Sequence, residues 1–160
     1  MVLLVMMASV GVAQQVYTND RLEYTFELPS ATWRSISEAD ASRSHVEFVY
    51  GDRLDGYLQV RKEVVEAGVT PDAMARREAD LKLRYLPGFV EGKYETFNGR
   101  LDGVTMSYEF VKAGKTMLGR NYYLQADNRT IYILKFSGLR DKLGRIRNQT
   151  DLMARSFKLK

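Results

Sequence analysis

The apolar run Thr130-Ile131-Tyr132-Ile133-Leu134-Lys135-Phe136 predicts a strand. After it, apolar side chains recur at steps of four and three, which stacks them along one side of a helix. They are Leu139, Leu143, Ile146, Thr150, Met153 and Phe157. Such a stripe must be buried, and its natural cover is the sheet to which the preceding strand belongs. We therefore expect a closing strand and helix, with the helix folded back over the core face of the sheet.

Three more segments with strand character precede this unit without a break. They cover residues 89–97, 104–112 and 116–126, and short turns at Asn98-Gly99, Ala113-Gly114 and Asp127-Asn128 separate them from one another and from the strand at 129–137. Successive strands joined by short turns form a meander, and its neighbouring strands must be antiparallel.

The first half of the chain predicts a leading strand, a hairpin and a helix. Apolar residues alternate over 22–28 until Pro29 ends the strand. The segments 46–50 and 57–64 flank a glycine-rich turn, which predicts an antiparallel hairpin. The helix begins with Thr70 at its cap, runs over residues 71–86 and stops at Pro87-Gly88. Its predicted buried face consists of Ala75, Ala79, Leu83 and Leu86, widened by Met74, Leu81 and Tyr85.

These elements predict an α+β protein with an antiparallel sheet of about six or seven strands sandwiched by helices. The 160 residues are 45% hydrophobic and 28% charged, the balance of one ordinary globular domain. We expect that domain to span residues 14–160 and to be monomeric. Residues 1–13 are uncharged and almost wholly apolar and end in Gly11-Val12-Ala13, which predicts a signal peptide cut after Ala13, and hence an exported protein in the periplasm or outside the cell.

The reactive repertoire of the sequence is narrow. The chain has no cysteine and one histidine, which excludes disulfides, thiolate chemistry and a histidine cluster for zinc. His45 and Glu47 lie two apart on one face of a strand and could form a base with its orienting carboxylate, but no nucleophile accompanies them. We therefore predict no catalytic residue, no metal site and no cofactor.

The candidate binding residues lie in two places. Residues 129–160 hold nine Lys and Arg against two Asp, a net of +7, whereas the whole chain has a net charge of +4. The basic side of the last helix is one candidate surface for a partner, with Arg140, Lys142, Arg145, Arg147 and Arg155. The loop that carries Trp33 and leads into residues 35–44 is the other. A lone tryptophan there is either a binding anchor or a plug of the core, and we favour the plug.

These patterns favour a non-enzymatic module that binds another protein. Two alternatives stay open: a binder of anionic surfaces, either lipid or nucleic acid, through the basic helix, and a small hydrolase that uses two carboxylates. Several tyrosines interleaved with cations on the meander could form a nucleic-acid stacking platform, but tyrosine also simply suits a half-buried sheet, so nucleic acid is the less favoured partner.

The order of these parts resembles the PsbP-like family. The resemblance rests on the strand Tyr24-Thr25-Phe26-Glu27-Leu28-Pro29 running into Trp33, the mid-chain helix, the long meander and the closing run that ends Ala154-Arg155-Ser156-Phe157. That family includes an extrinsic subunit of photosystem II, and its fold is shared by a Ran-binding import factor and by exported bacterial proteins of unknown role. The resemblance implies an antiparallel sheet between helical layers, and a function that depends on docking to other proteins.

Overall fold

The computed structural model describes residues 14–37 and 45–160. Its strands are, in chain order, β1 (Gln15–Tyr17), β2 (Tyr24–Leu28), β3 (Trp33–Ser37), β4 (Val46–Tyr50), β5 (Asp52–Val64), β6 (Val90–Phe97), β7 (Gly103–Lys112), β8 (Lys115–Asp127), β9 (Thr130–Leu139) and β10 (Lys158–Leu159). Its helices are α1 (Pro71–Leu81), α2 (Arg140–Arg145) and α3 (Arg147–Ser156), and a 3-10 turn at Leu83–Tyr85 follows α1. The predicted signal peptide and most of the polar stretch after Trp33 lie outside the described residues.

The predicted closing strand, β9, lies at the centre of the main sheet. Seven antiparallel strands follow the order β3-β4-β5-β9-β8-β7-β6, so β6 to β9 form the predicted meander. Successive side chains of β9 point to opposite faces of the sheet. Ile131 and Ile133 are buried on one face, and Tyr132, Leu134 and Phe136 are buried on the other. The sheet is therefore covered on both sides.

Two separate layers provide that cover. On one face α1 packs over β7, β8 and β9, and its buried residues Ala75 and Ala79 let the helix approach closely. On the other face lie α2, α3 and a small sheet of order β1-β2-β10, with Phe26 and Phe157 at the centre of an aromatic cluster. The predicted α+β sandwich is confirmed. The small second sheet is a feature that the alternating pattern of residues 22–28 did not distinguish from a strand of the main sheet.

The predicted C-terminal helix is two helices. The α2 helix ends at Arg145, and Ile146, with φ −106° and ψ 22°, separates it from α3, which begins at Arg147. Both segments pack on the main sheet, and α3 in addition contacts β2 of the small sheet. The helical stripe is buried from Leu143 to Phe157, as predicted, but Leu139 is the last residue of β9 rather than the first of the stripe.

The predicted helix over residues 71–86 is shorter and its buried face narrower than expected. Thr70 caps α1 by accepting a hydrogen bond from the backbone amide of Ala73. The α-helix ends at Leu81, and the 3-10 turn then changes the direction of the side chains. Leu81 is 61% exposed and Tyr85 is 76% exposed, so the prediction that they widen the buried face is wrong.

Two strand boundaries also differ from the prediction. The β4–β5 hairpin turns tightly at Gly51, whose φ of +69° suits glycine, and β5 therefore begins at Asp52 instead of residue 57. Trp33 opens strand β3 and does not lie in a loop. No helix within residues 14–37 and 45–160 has both the length and the apolar character that crossing a membrane requires.

Candidate functional site

A buried carboxylate holds α1 against the sheet. The side chain of Glu78 is 1% exposed and lies on the side of α1 that faces β5, β8 and β9. Arg61 Nη2 and Lys135 Nζ each donate a hydrogen bond to its Oε1, both at 3.1 Å, and the Tyr123 hydroxyl donates to Oε2 at 2.6 Å. Asn121 Nδ2 in turn donates to the Tyr123 oxygen at 3.1 Å. Three strands are thus tied to one helical side chain.

The charges around Glu78 keep it ionised. Burial alone would raise the pKa of its carboxyl, but Lys135, the Tyr123 hydroxyl and Arg61 together hold that pKa below its ordinary value. Burial and the neighbouring Glu78 carboxylate raise the pKa of Tyr123, so its hydroxyl stays a hydrogen-bond donor. A general acid needs a carboxyl with a raised pKa, and Glu78 is shifted the other way. Its chemistry is that of a structural anchor.

A groove runs beside α1, because the helix does not extend over β5. Its first part, which we name the valine cavity, has a volume of about 400 Å³ and lies between α1 and the end of β5 with its following loop. Its apolar lining consists of Val64, Val65, Val69, Met74 and Leu81, and its charged lining of Glu63, Glu66, Arg77, Glu78 and Lys82. Val64 and Leu81 are 75% and 61% exposed. Large apolar side chains at the rim of a concave surface are typical of contact sites.

The second part, which we name the lysine cleft, lies beyond the C-terminal end of α1 and has a volume of about 320 Å³. Its lining is Tyr57, Gln59, Lys82, Leu83, Leu86, Tyr108, Phe110, Lys135, Phe136 and Ser137. Lys82 lines both parts, so the valine cavity and the lysine cleft are adjacent along α1. The β5 residues from Tyr57 to Val64 follow the groove for about 23 Å at the usual rise of a strand.

The structure places Trp33 in the core. Its side chain is 2% exposed, packs edge-to-face on Phe136, and donates a hydrogen bond from Nε1 to Gln149 Oε1 at 3.0 Å. The ring therefore plugs the space between the sheet and α3, and a partner cannot contact it on the surface of this conformation. Of the two interpretations of Trp33, this geometry fits the plug.

The five basic residues of α2 and α3 are exposed, but four of them contact the protein itself. Arg140 pairs with Glu109 at 3.8 Å, Lys142 with Asp55 at 3.5 Å, and Arg147 with Glu95 at 3.5 Å. Arg155 donates to the carbonyl oxygen of Asn98 at 2.9 Å. For Arg145 the described part of the chain offers no ion pair. Three of the five charges are thus paired with acids on neighbouring elements.

His45 and Glu47 lie close together, with 3.5 Å between His45 Nε2 and Glu47 Oε1. The Tyr57 hydroxyl donates to the same carboxylate at 2.8 Å, and Arg53 is 3.5 Å from its other oxygen. Burial works to raise the pKa of Glu47, but these partners together lower it. Burial and Glu47 raise the pKa of Tyr57 to about 12, so this hydroxyl is a poor nucleophile at neutral pH.

Within the described ranges, no group of three or more His, Asp or Glu side chains could hold a metal ion. The residue that sequence reasoning missed is Glu78. The sequence does contain an indication of its role. Glu78 lies three positions after Ala75 and next to Ala79, which puts a charge on the apolar stripe of an amphipathic helix. A charge on that stripe requires partners from the sheet.

The comparisons with known proteins concern the fold. No protein-family profile matches the sequence, and no curated protein is similar to it. The solution structure of cyanobacterial PsbP from Synechocystis has a TM-score of 0.65 and 16% identity, and covers 97% of this chain and 98% of its own. A variant of the protein Mog1 has a TM-score of 0.63 and 12% identity, and covers 92% of this chain and 96% of its own.

A third solved structure is LpqN, which is involved in cell envelope biogenesis of Mycobacterium tuberculosis. It has a TM-score of 0.55 and 18% identity, and covers 91% of this chain and 90% of its own. The three neighbours share the whole architecture with this protein, whereas their sequences differ at more than four positions in five. The chain therefore has the PsbP-like fold, as the resemblance implies.

Proposed function

We propose that this chain is an exported, non-enzymatic module that binds another protein, and that the valine cavity is where it binds. The observation that carries the proposal is the pair of exposed apolar side chains, Val64 and Leu81, at a cavity whose lining is otherwise both apolar and charged. Leaving such side chains in water is unfavourable, and a bound apolar group would cover them.

The charges of the two walls indicate what kind of segment fits. Glu66 lies on the loop wall and Arg77 on the helix wall, and neither forms an ion pair with another residue of the described ranges. A segment with an apolar side chain between one cationic and one anionic residue would match Val64 and Leu81 and the charges of both walls. Opposite charges on the two walls would also fix the direction in which the segment lies.

The PsbP-like fold does not decide the function, because function on a shared fold resides in particular sites, so the binding role rests on the valine cavity. The neighbour LpqN, with its part in cell envelope biogenesis, fits with export, as does the predicted signal peptide at residues 1–13. Fractionation of the source cells tests this point. Recovery of the chain in the cytoplasm with residues 1–13 still attached would contradict export.

Site-specific cross-linking tests the binding role. A photoreactive p-benzoylphenylalanine at Leu81 should capture a protein that the same group at Leu159, an exposed position on the opposite layer, does not capture. The captured protein is then purified and titrated against the wild type and against Leu81→Asp. We expect its affinity to fall by about tenfold or more, because a charge would replace an apolar contact.

Leu159→Asp is the matched control, since it places the same charge on an apolar residue far from the cavity. Circular dichroism should show that both variants are folded. A captured protein that binds Leu81→Asp as tightly as the wild type would refute the valine cavity as the site. Turnover of a substrate that is abolished by changing His45 would refute the non-enzymatic part.

The basic residues of α2 and α3 stay a second predicted contact for the partner. Arg145 is the most informative of them, because it is exposed and forms no ion pair within the described residues that binding would have to break. If the partner is acidic at this surface, Arg145→Ala should weaken binding at low salt and have less effect at high salt. An unchanged affinity at low salt would remove these residues from the interface.

A further inference from the structure

The lysine cleft combines an apolar wall with two cations. Leu83 and Leu86 come from the turn after α1, and Tyr108 and Phe110 come from β7. Lys82 and Lys135 line the same space, and none of the lining residues is acidic. The chemistry of this lining therefore favours a group that is apolar over most of its surface and negative at one end.

The two lysines differ in how they are held. Lys135 Nζ is 3.1 Å from Glu78 Oε1, which fixes its position at the base of the cleft. Lys82 is exposed, and it forms no ion pair with any residue in the described part of the chain. Arg61 and Lys135 both contact Glu78, and Arg61 is also 3.5 Å from Glu63, so these two cations are balanced by two carboxylates. The charge left for a ligand is close to one unit, which suits a monoanion better than a phosphate.

We propose that the lysine cleft binds a small carboxylic acid with an aliphatic or aromatic body, whose carboxylate lies at Lys82 and Lys135 and whose body packs on Leu86, Tyr108 and Phe110. The volume of the cleft, about 320 Å³, is at the lower end of the range of roughly 300 to 1,000 Å³ for ligand pockets. It therefore accommodates one short chain or ring. This site is adjacent to the valine cavity, with which it shares Lys82, and does not depend on a protein partner.

The proposal is tested with three probes of one chain length: octanoate, octanol and octylammonium. Each is titrated into the ¹⁵N-labelled protein and followed by NMR, with affinities measured by calorimetry. Octanoate should bind about tenfold more tightly than octanol, which lacks the charge, and octylammonium should bind most weakly. The largest shifts should fall on amides of residues 82–86, 108–110 and 135–137.

Variants of Lys82 separate the charge from the fold. Lys82→Met should reduce the affinity for octanoate about five- to tenfold and leave the affinity for octanol unchanged. Lys82→Arg should retain octanoate binding. Lys158→Met, an exposed lysine on the opposite layer, is the control. Leu86→Ala should lower the affinities for octanoate and octanol by the same factor, because both probes pack on the same apolar wall.

Three outcomes would overturn the proposal. They are equal affinity for octanoate and octanol, shifts centred on the opposite layer of the protein, and octanoate binding that Lys82→Met leaves unchanged. None of them bears on the valine cavity, whose test uses Leu81 and a protein partner. The two proposals can therefore fail independently.

Discussion

At the scale of single residues, Glu78 decides how α1 is attached. Burying an ionised carboxylate is costly unless hydrogen bonds and opposite charges compensate for lost hydration. Glu78 receives three such bonds, from Arg61, Lys135 and Tyr123, on three different strands. The group therefore fixes the position of the helix as well as its distance from the sheet.

Removing this carboxylate should destabilise the protein strongly. Glu78→Ala leaves Arg61 and Lys135 without their shared acceptor and should lower the free energy of unfolding by about 3 kcal/mol or more. Urea denaturation measures the loss. Asp80→Ala is the control, since Asp80 lies on the same helix with an exposed side chain. This substitution should lower the free energy of unfolding by about 0.5 kcal/mol or less. Equal losses for the two variants would show that Glu78 is not an anchor.

The same carboxylate predicts a pH dependence of stability. The pKa of Glu78 in the folded protein is held below its ordinary value of 4.5, so its contribution is present above that pH and is lost as the pH falls through the folded-state pKa. The gap in unfolding free energy between the wild type and Glu78→Gln should therefore be widest above about pH 5 and narrow on acidification. Denaturation curves at several pH values measure it, and a gap that widens at low pH would contradict this assignment.

At the scale of elements, the apolar stripe continues across the break at Ile146. The α2 helix lies on the main sheet, α3 lies on the main sheet and on β2, and Leu143 and Met153 are buried in the same cluster on either side of the break. The periodicity of the stripe survives because the interruption is only one residue long.

The glycine in α2 offers a test at this scale. A Cβ added at Gly144 would meet no atom within 4 Å, and alanine favours helix over glycine. Gly144→Ala should therefore raise the free energy of unfolding by about 0.5 to 1 kcal/mol. The same substitution at Gly119 should be destabilising, because its Cβ would lie 2.1 Å from the Tyr108 ring. Thermal unfolding compares the two, and a destabilised Gly144→Ala would show that the break needs glycine.

At the scale of the whole molecule, one sheet carries both cores. The side chains of β9 alternate between the α1 face and the α3 face, so the loss of either layer would expose apolar side chains of the same strand to water. The two cores should therefore unfold together.

This cooperativity can be measured with Trp33, which is buried on the α3 face. Its fluorescence should report the same urea midpoint as far-UV circular dichroism, which reports all elements. In Glu78→Ala, a variant on the opposite face, both midpoints should shift by the same amount. If dichroism shifts alone, α1 unfolds independently of the sheet.

The types of the elements were predictable because they depend on local periodicity. Alternation over residues 22–28 and the steps from Leu143 to Phe157 predict a strand and a helical stripe, and both are buried as expected. The boundaries were less predictable. Trp33 begins a strand and Leu81 is exposed because the pairing of β3 with β4 and the 3-10 turn after α1 are set by neighbours in space.

The sequence by itself determined an antiparallel sheet between helices, since apolar faces with periods of two and of three to four residues must be buried against each other. Only the tertiary structure decided where a partner or ligand could bind. The partners of Glu78 lie 17, 45 and 57 positions away along the chain, and the groove exists because α1 covers β7 to β9 and leaves β5 open. No local pattern encodes the distance between residues that are so far apart in sequence.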